Sequence, residues 1–130
     1  MSAIPRYPTS MDVIALNERV LGQPGGLVDA GKLAGALHRA QAVAQYAGAD
    51  EVRQSVVLLV GVALAHAFVD GNKRTALAAV AVFWGLNSWT FTGDYLALAQ
   101  RLERLIARHE ARETEAEELE AWLRARLVVG

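Results

Sequence analysis

Two long apolar runs separated by a short polar break constrain this chain more than any other feature. Ser55 to Val69 is almost wholly apolar, and after Asp70-Gly71-Asn72-Lys73-Arg74 the stretch Thr75 to Leu86 is apolar again. Each run is shorter than the roughly 18 to 20 residues a bilayer requires, and the first carries His66. The pattern therefore predicts two buried helices of a soluble core. Asp70-Gly71-Asn72 is turn chemistry, so a very tight loop should join them.

The remaining sequence agrees with a helical reading. All three prolines fall within the first 24 residues, which leaves the later helices uninterrupted. Apolar residues make up 53% and charged ones 21%, well above what a disordered chain carries. The expectation is an all-α, compact helical bundle, a single domain over residues 1–130, in which the polar break is a loop between two buried helices. Thirteen basic and fourteen acidic side chains leave a formal charge of −1, so no global field recruits nucleic acid or an anionic membrane. Any anion site must be local. The absence of cysteine excludes disulfides, thiol catalysis and cysteine metal sites. The start, MSAIPRYPTS, lacks a charged region followed by an apolar one, so no secretory signal is expected and the cytoplasm is the default location.

Local signals place the elements. Thr9 and Asp12 form a capping-box pattern opening a helix over about 10 to 21. GQPGG is a breaker, and Asp29 can cap a second helix that ends near AGAD. Residues 87–93, NSWTFTG, suit a short extended or hairpin piece. Asp94 should cap a helix lined by Leu98, Leu102, Leu105 and Ile106. Thr114 with Glu117 reads as a capping box opening a last helix with the stripe Leu119, Trp122, Leu123 and Leu127. The mixed charges between Arg101 and Arg126 read as a solvated helix face.

The chemistry sits in residues 66–77, HAFVDGNKRTAL. A helix N-terminus already carries about half a positive charge, so Lys73 and Arg74 there oppose the usual preference for acids. Something negative should compensate them. Asp70 is the only acid close in sequence, whereas open backbone N–H groups beside two cations are the arrangement that binds phosphate. Gly71 lets a ligand approach the backbone. Asp70 has two readings: it pairs with Lys73 or Arg74, or it holds Mg²⁺ beside substrate phosphates. His66 is either a satisfied core histidine or a base that takes a proton from an attacking hydroxyl. Asn72 could bond the His-bearing turn, touch a nucleotide or, the preferred expectation, cap the second helix. Phe68 should anchor the loop in the core.

This segment resembles the Fic/Doc superfamily, whose signature runs H-P-F-x-[DE]-G-N-G-R-x-x-R. His66, Phe68, Asp70, Gly71, Asn72 and Arg74 match it, while Ala67, Lys73 and Leu77 depart from it. The departures at Lys73 and Leu77 resemble the Doc branch, the death-on-curing toxins, with H-x-F-x-D-x-N-K-R-T-A. GGLVDAGKLAGALHRAQAVAQY and EELEAWLRARL are similar to further parts of such toxins.

The resemblance implies a toxin of a toxin–antitoxin pair. Fic proteins typically transfer AMP from ATP to a protein hydroxyl, whereas Doc toxins phosphorylate a threonine of elongation factor Tu and stop translation. Lysine in place of the second glycine crowds the phosphate site and, with Leu77 lacking a cationic group, favours γ-phosphoryl transfer. By this resemblance His66 is the general base, Asp70 helps bind Mg²⁺, and Arg74, Lys73 and the Gly71–Asn72 backbone hold the phosphates of ATP. A target-positioning flap is expected near residues 45–51. Thr114 and Glu118 have the spacing of the family's inhibitory helix, but Leu119 breaks its last position. Regulation is therefore expected from a separate Phd-like antitoxin whose C-terminal segment folds over the site.

Overall fold

The first apolar run folds as the helix α3 (Glu51–Ala65) and the second as α4 (Asn72–Leu86), in a computed structural model that describes residues 4–130. Residues 1–3, part of the start read for a secretory signal, lie outside that range. Around this pair the described chain adds α1 (Ser10–Leu21), α2 (Ala30–Ala47), β1 (Trp89–Phe91), α5 (Tyr95–Ala107), a 3₁₀ turn (His109–Ala111), α6 (Arg112–Arg124) and β2 (Leu127–Val129). Six helices and one two-stranded sheet make the all-α architecture that the sequence implies. Among the described residues no helix is long and apolar enough to cross a membrane.

Caps decide where the helices start. Thr9 and Asp12 close the expected box on α1, with the Asp12 N–H donating to Thr9 Oγ1 at 3.1 Å and the Thr9 N–H donating to Asp12 Oδ2 at 2.8 Å. Asp29, Asp50 and Asp94 cap α2, α3 and α5 singly, each carboxylate accepting from one backbone N–H of the first turn. α3 then lies between α2 and α4, with α6 also against it, and α1 packs on α4. Val56, Leu59 and Val62 of α3 meet Ala76, Val80 and Phe83 of α4 in one continuous core that extends to Leu33, Leu98, Leu105, Leu119 and Leu123. Full burial of each large apolar side chain contributes roughly 1.5–3 kcal/mol. A polar thread crosses it: the Trp84 indole donates to Ser55 Oγ at 2.7 Å, and Ser55 donates to the Glu51 carbonyl at 2.7 Å.

Three expectations about the C-terminal third change. Thr114 does not open α6. The 3₁₀ turn winds directly into the helix, which begins at Arg112 without a side-chain cap, and Thr114 falls inside its first turn. Leu127 does not extend the α6 stripe. Residues 127–129 form β2, antiparallel to β1, pairing Trp89 with Val129 and Phe91 with Leu127. Helix and strand are equally open to Leu127 locally, and the exposed, β-branched Val128 and Val129 gain backbone partners only as a strand. Nor is the charge run simply solvated. Glu115 is buried against Arg108 at 2.7 Å, and Glu120 bonds both Arg53 of α3 and Arg124. Arg124 in turn reaches Asp50 at 2.6 Å, so this network fastens α6 to the start of α3.

Candidate functional site

α3 ends in a left-handed cap at His66, with φ 49° and ψ 42°, which swings the chain out of the helix and leaves the imidazole exposed. Ala67 and Phe68 turn back into the core, as expected for Phe68, and Val69 and Asp70 return to the surface. Gly71 then opens α4 in the left-handed region at φ 78°. A Cβ there would also come within 2.9 Å of a Leu21 methyl, so both backbone and space call for glycine.

Asn72 does not cap α4. It is the first helical residue, and its amide instead staples the loop behind it, accepting from the Phe68 N–H at 3.1 Å and donating to the Phe68 carbonyl at 2.8 Å. A side chain at that position reaches back over the turn more easily than down to its own helix amides. Among the described residues no side chain caps this end, so the first amides of α4 remain available to an anion.

The loop is fixed from below by a segment between α1 and α2. Gly25–Asp29 runs antiparallel to Ala67–Asp70: the Val28 N–H donates to the Ala67 carbonyl at 2.7 Å, the Val69 N–H to Gly26 at 2.9 Å and the Asp70 N–H to Gly25 at 3.2 Å. Asn17 of α1, buried, locks the two together. Its amide nitrogen donates to the Asp70 carbonyl and to Thr75 Oγ1, each at 3.0 Å, and its oxygen accepts from the Gly25 N–H at 2.9 Å. A Cβ on residue 25 would lie 2.2 Å from that oxygen.

One cavity of about 380 Å³ opens on this loop, and all six residues singled out from sequence, His66, Asp70, Gly71, Asn72, Lys73 and Arg74, line it. Glu103 and Ile106 of α5 form the opposite wall. The charges are partnered differently from either simple expectation. Asp70 pairs with neither Lys73 nor Arg74; its Oδ1 accepts from the Gly71 N–H at 2.8 Å. Lys73 instead meets Glu103, with Nζ 3.3 Å from Oε1, and Arg74 donates to the Val20 carbonyl at the end of α1. The acid that offsets the helix-start lysine therefore comes from thirty residues further along the chain, where no local pattern reveals it.

A histidine, two carboxylates and two cations thus share one opening with an uncapped helix N-terminus. The model of the Fic/DOC family matches residues 7–84, which run from before α1 almost to the end of α4 and include the loop and both segments that brace it. The chain belongs to the Fic/Doc family. No curated protein matches it. Members of the Fic/Doc family are generally transferases that act on proteins, often with an antitoxin partner.

The Fic/Doc match stops before α5, so Glu103 and Ile106 belong to the part of the wall that lies outside it. The flap expected near residues 45–51 does not flank the loop: those residues end α2, link it to α3 and open α3, about 22 Å of helix from His66 at the far end. The segment that flanks the loop is Gly25–Asp29. Thr114 and Glu118 lie on α6 and line no part of this cavity. Sequence reasoning missed Asn17 and Glu103. Asn17 shares a helix face with the buried Val13 four residues earlier, and an amide at such a core position is the one signal that could have marked it.

Proposed function

We propose that this Fic/Doc protein is a Doc-type toxin that transfers the γ-phosphoryl group of ATP to a threonine hydroxyl of a translation factor, elongation factor Tu. The observation that carries the reading is the single cavity lined by His66, Asp70, Lys73 and Arg74 at an uncapped helix start. His66 takes the proton from the target hydroxyl, whose oxygen attacks phosphorus as the bond to ADP breaks. The open amides at the start of α4, with Lys73 and Arg74, hold the phosphate oxygens and offset the charge that develops on them.

Among the described residues no cluster of three or more His, Asp or Glu side chains could hold a metal unaided. Asp70 fits a different role, since Mg²⁺ is commonly held by one or two carboxylates together with substrate phosphates and water. Bound there, Mg²⁺ would supply charge neutralisation at the phosphates. Lys73 supports phosphoryl over AMP transfer: its side chain crosses to Glu103 and occupies space that a glycine would leave to a further phosphate.

A cognate antitoxin, with a C-terminal segment covering the opening, fits the exposure of His66 and Asp70. The test is transfer of label to purified elongation factor Tu. Label from γ-labelled ATP, with a mass gain of one phosphoryl group on a threonine, is expected. Label arriving only from α-labelled ATP would replace the kinase reading with AMP transfer. Growth arrest by a His66→Ala variant equal to that by the native chain would instead favour a binding protein.

A further inference from the structure

The Lys73–Glu103 pair has no counterpart in the roles assigned so far. Both side chains line the cavity, and both are substantially exposed, at 50% and 66%. The pair is therefore not a structural rivet, because exposed ion pairs contribute little to folding. Its position is more telling than its strength. Lys73 is the second residue of α4, at the end where the open amides and Arg74 already concentrate positive charge. Glu103 places a carboxylate oxygen 3.3 Å from that lysine's ammonium, which is where an anion entering the cavity would also be drawn. Asp70 is the other carboxylate of the wall.

We infer that Glu103 is a built-in competitor for the phosphoryl donor, a carboxylate that holds the Lys73 ammonium and must yield it to a docking phosphate. The inference rests on the reading of the cavity as a polyphosphate site. It makes Glu103 a positioning residue that acts through Lys73 and sets how much phosphate charge the cavity tolerates. Two acids facing one polyphosphate repel it, and only Asp70 would have a bound Mg²⁺ to offset its charge. Nothing in the family match supplies this group, because α5 lies beyond residue 84. Removing the competition should tighten donor binding, and the gain should be salt-sensitive because both partners are exposed to solvent.

The experiment is a double-mutant cycle on the full chain, with Glu103→Gln, Lys73→Gln and the double variant. Calorimetry would measure binding of Mg²⁺-ATP and, separately, of inorganic triphosphate. Glu103→Gln is expected to lower the dissociation constant for both probes about fivefold at low ionic strength, the scale of one exposed charge pair. The gain should fall below about twofold in the Lys73→Gln background and shrink at high salt in the Lys73 background. An equal gain with and without Lys73 would mean that the carboxylate acts as diffuse charge, and the competition is then wrong. Weaker binding by Glu103→Gln would overturn it too, making the pair an aid to docking. If neither probe binds the native chain nor Glu103→Gln, the polyphosphate reading itself fails.

Discussion

At the scale of single residues, the site depends on backbone conformations that only some side chains accept. His66 holds φ 49°, a left-handed cap that costs most residues roughly 1–2 kcal/mol and asparagine less. Loss of the imidazole can therefore be separated from loss of the fold. His66→Asn is expected to keep the melting temperature within about 2 °C of the native value, whereas His66→Ala should lose roughly 1 kcal/mol, and both should abolish transfer to the target. Calorimetric melting beside the labelling assay checks this. A His66→Asn protein that still transfers label would remove the base from its role. Asn17 makes the contrasting case, because it never meets the cavity but holds its floor through three hydrogen bonds. Asn17→Ala strands the Gly25 amide and Thr75 hydroxyl in a buried setting, at a cost of about 2–3 kcal/mol in urea unfolding. Activity at temperatures where the variant stays folded should fall mainly in kcat, since the loop carrying Asp70 loses its tether. Unchanged kcat would assign Asn17 to stability alone.

At the scale of elements, what the sequence revealed and what it hid divide by the distance between partners. The starts of α1, α2 and α5 were legible because a cap and its amide lie within three residues of one another. The buried helices were legible from their apolar runs. β2 was not, because Val129 finds its partner in Trp89, forty residues earlier, and neither strand announces the other. The same separation hid the Lys73–Glu103 contact and the network at the start of α3. That network makes a pH prediction. Hydrogen bonds from Arg124 and Arg53 hold the Asp50 and Glu120 carboxyls, respectively, below their ordinary values. A carboxyl with a depressed folded pKa stabilises the fold above its unfolded value, about 4.3 for glutamate, and the stabilisation is lost as pH falls through the lower folded value. Glu120→Gln should thus be destabilised by about 1 kcal/mol at pH 7, and the difference should shrink as pH drops below about 4. Denaturant midpoints at pH 7, 5 and 3 measure it; a constant difference across that range would show that Glu120 acts by packing and not by charge.

At the scale of the whole molecule, the cavity is assembled from two parts with different support. Its floor and one wall come from α1 to α4, whose loop is pinned by the Gly25–Asp29 segment and Asn17. The other wall is α5, which hangs on the C-terminal third: Phe91 of β1 stacks on Trp84 at 5.1 Å and meets Tyr95 at 4.9 Å, while Arg101 of α5 and Arg126 cover the two-ring system of Trp122 at 5.0 and 4.5 Å. β2 closes this cluster, since Leu127 is buried and Thr92 donates its N–H to the Arg126 carbonyl at 2.7 Å. Ending the chain after Arg124 removes β2, strips β1 of its strand partner and uncovers the aromatic cluster, and among the described residues it touches no hydrogen bond of the loop. Amides of β1 and α5 should then exchange with deuterium at least tenfold faster, while the Val28 and Val69 amides keep most of their protection. Binding of triphosphate should tighten in parallel, as the loosened α5 wall releases Lys73 from Glu103. Equal loss of protection at Val28, Val69 and α5 would show instead that the floor and the wall are one cooperative unit, so that the part outside the family match is as necessary to the loop as α1.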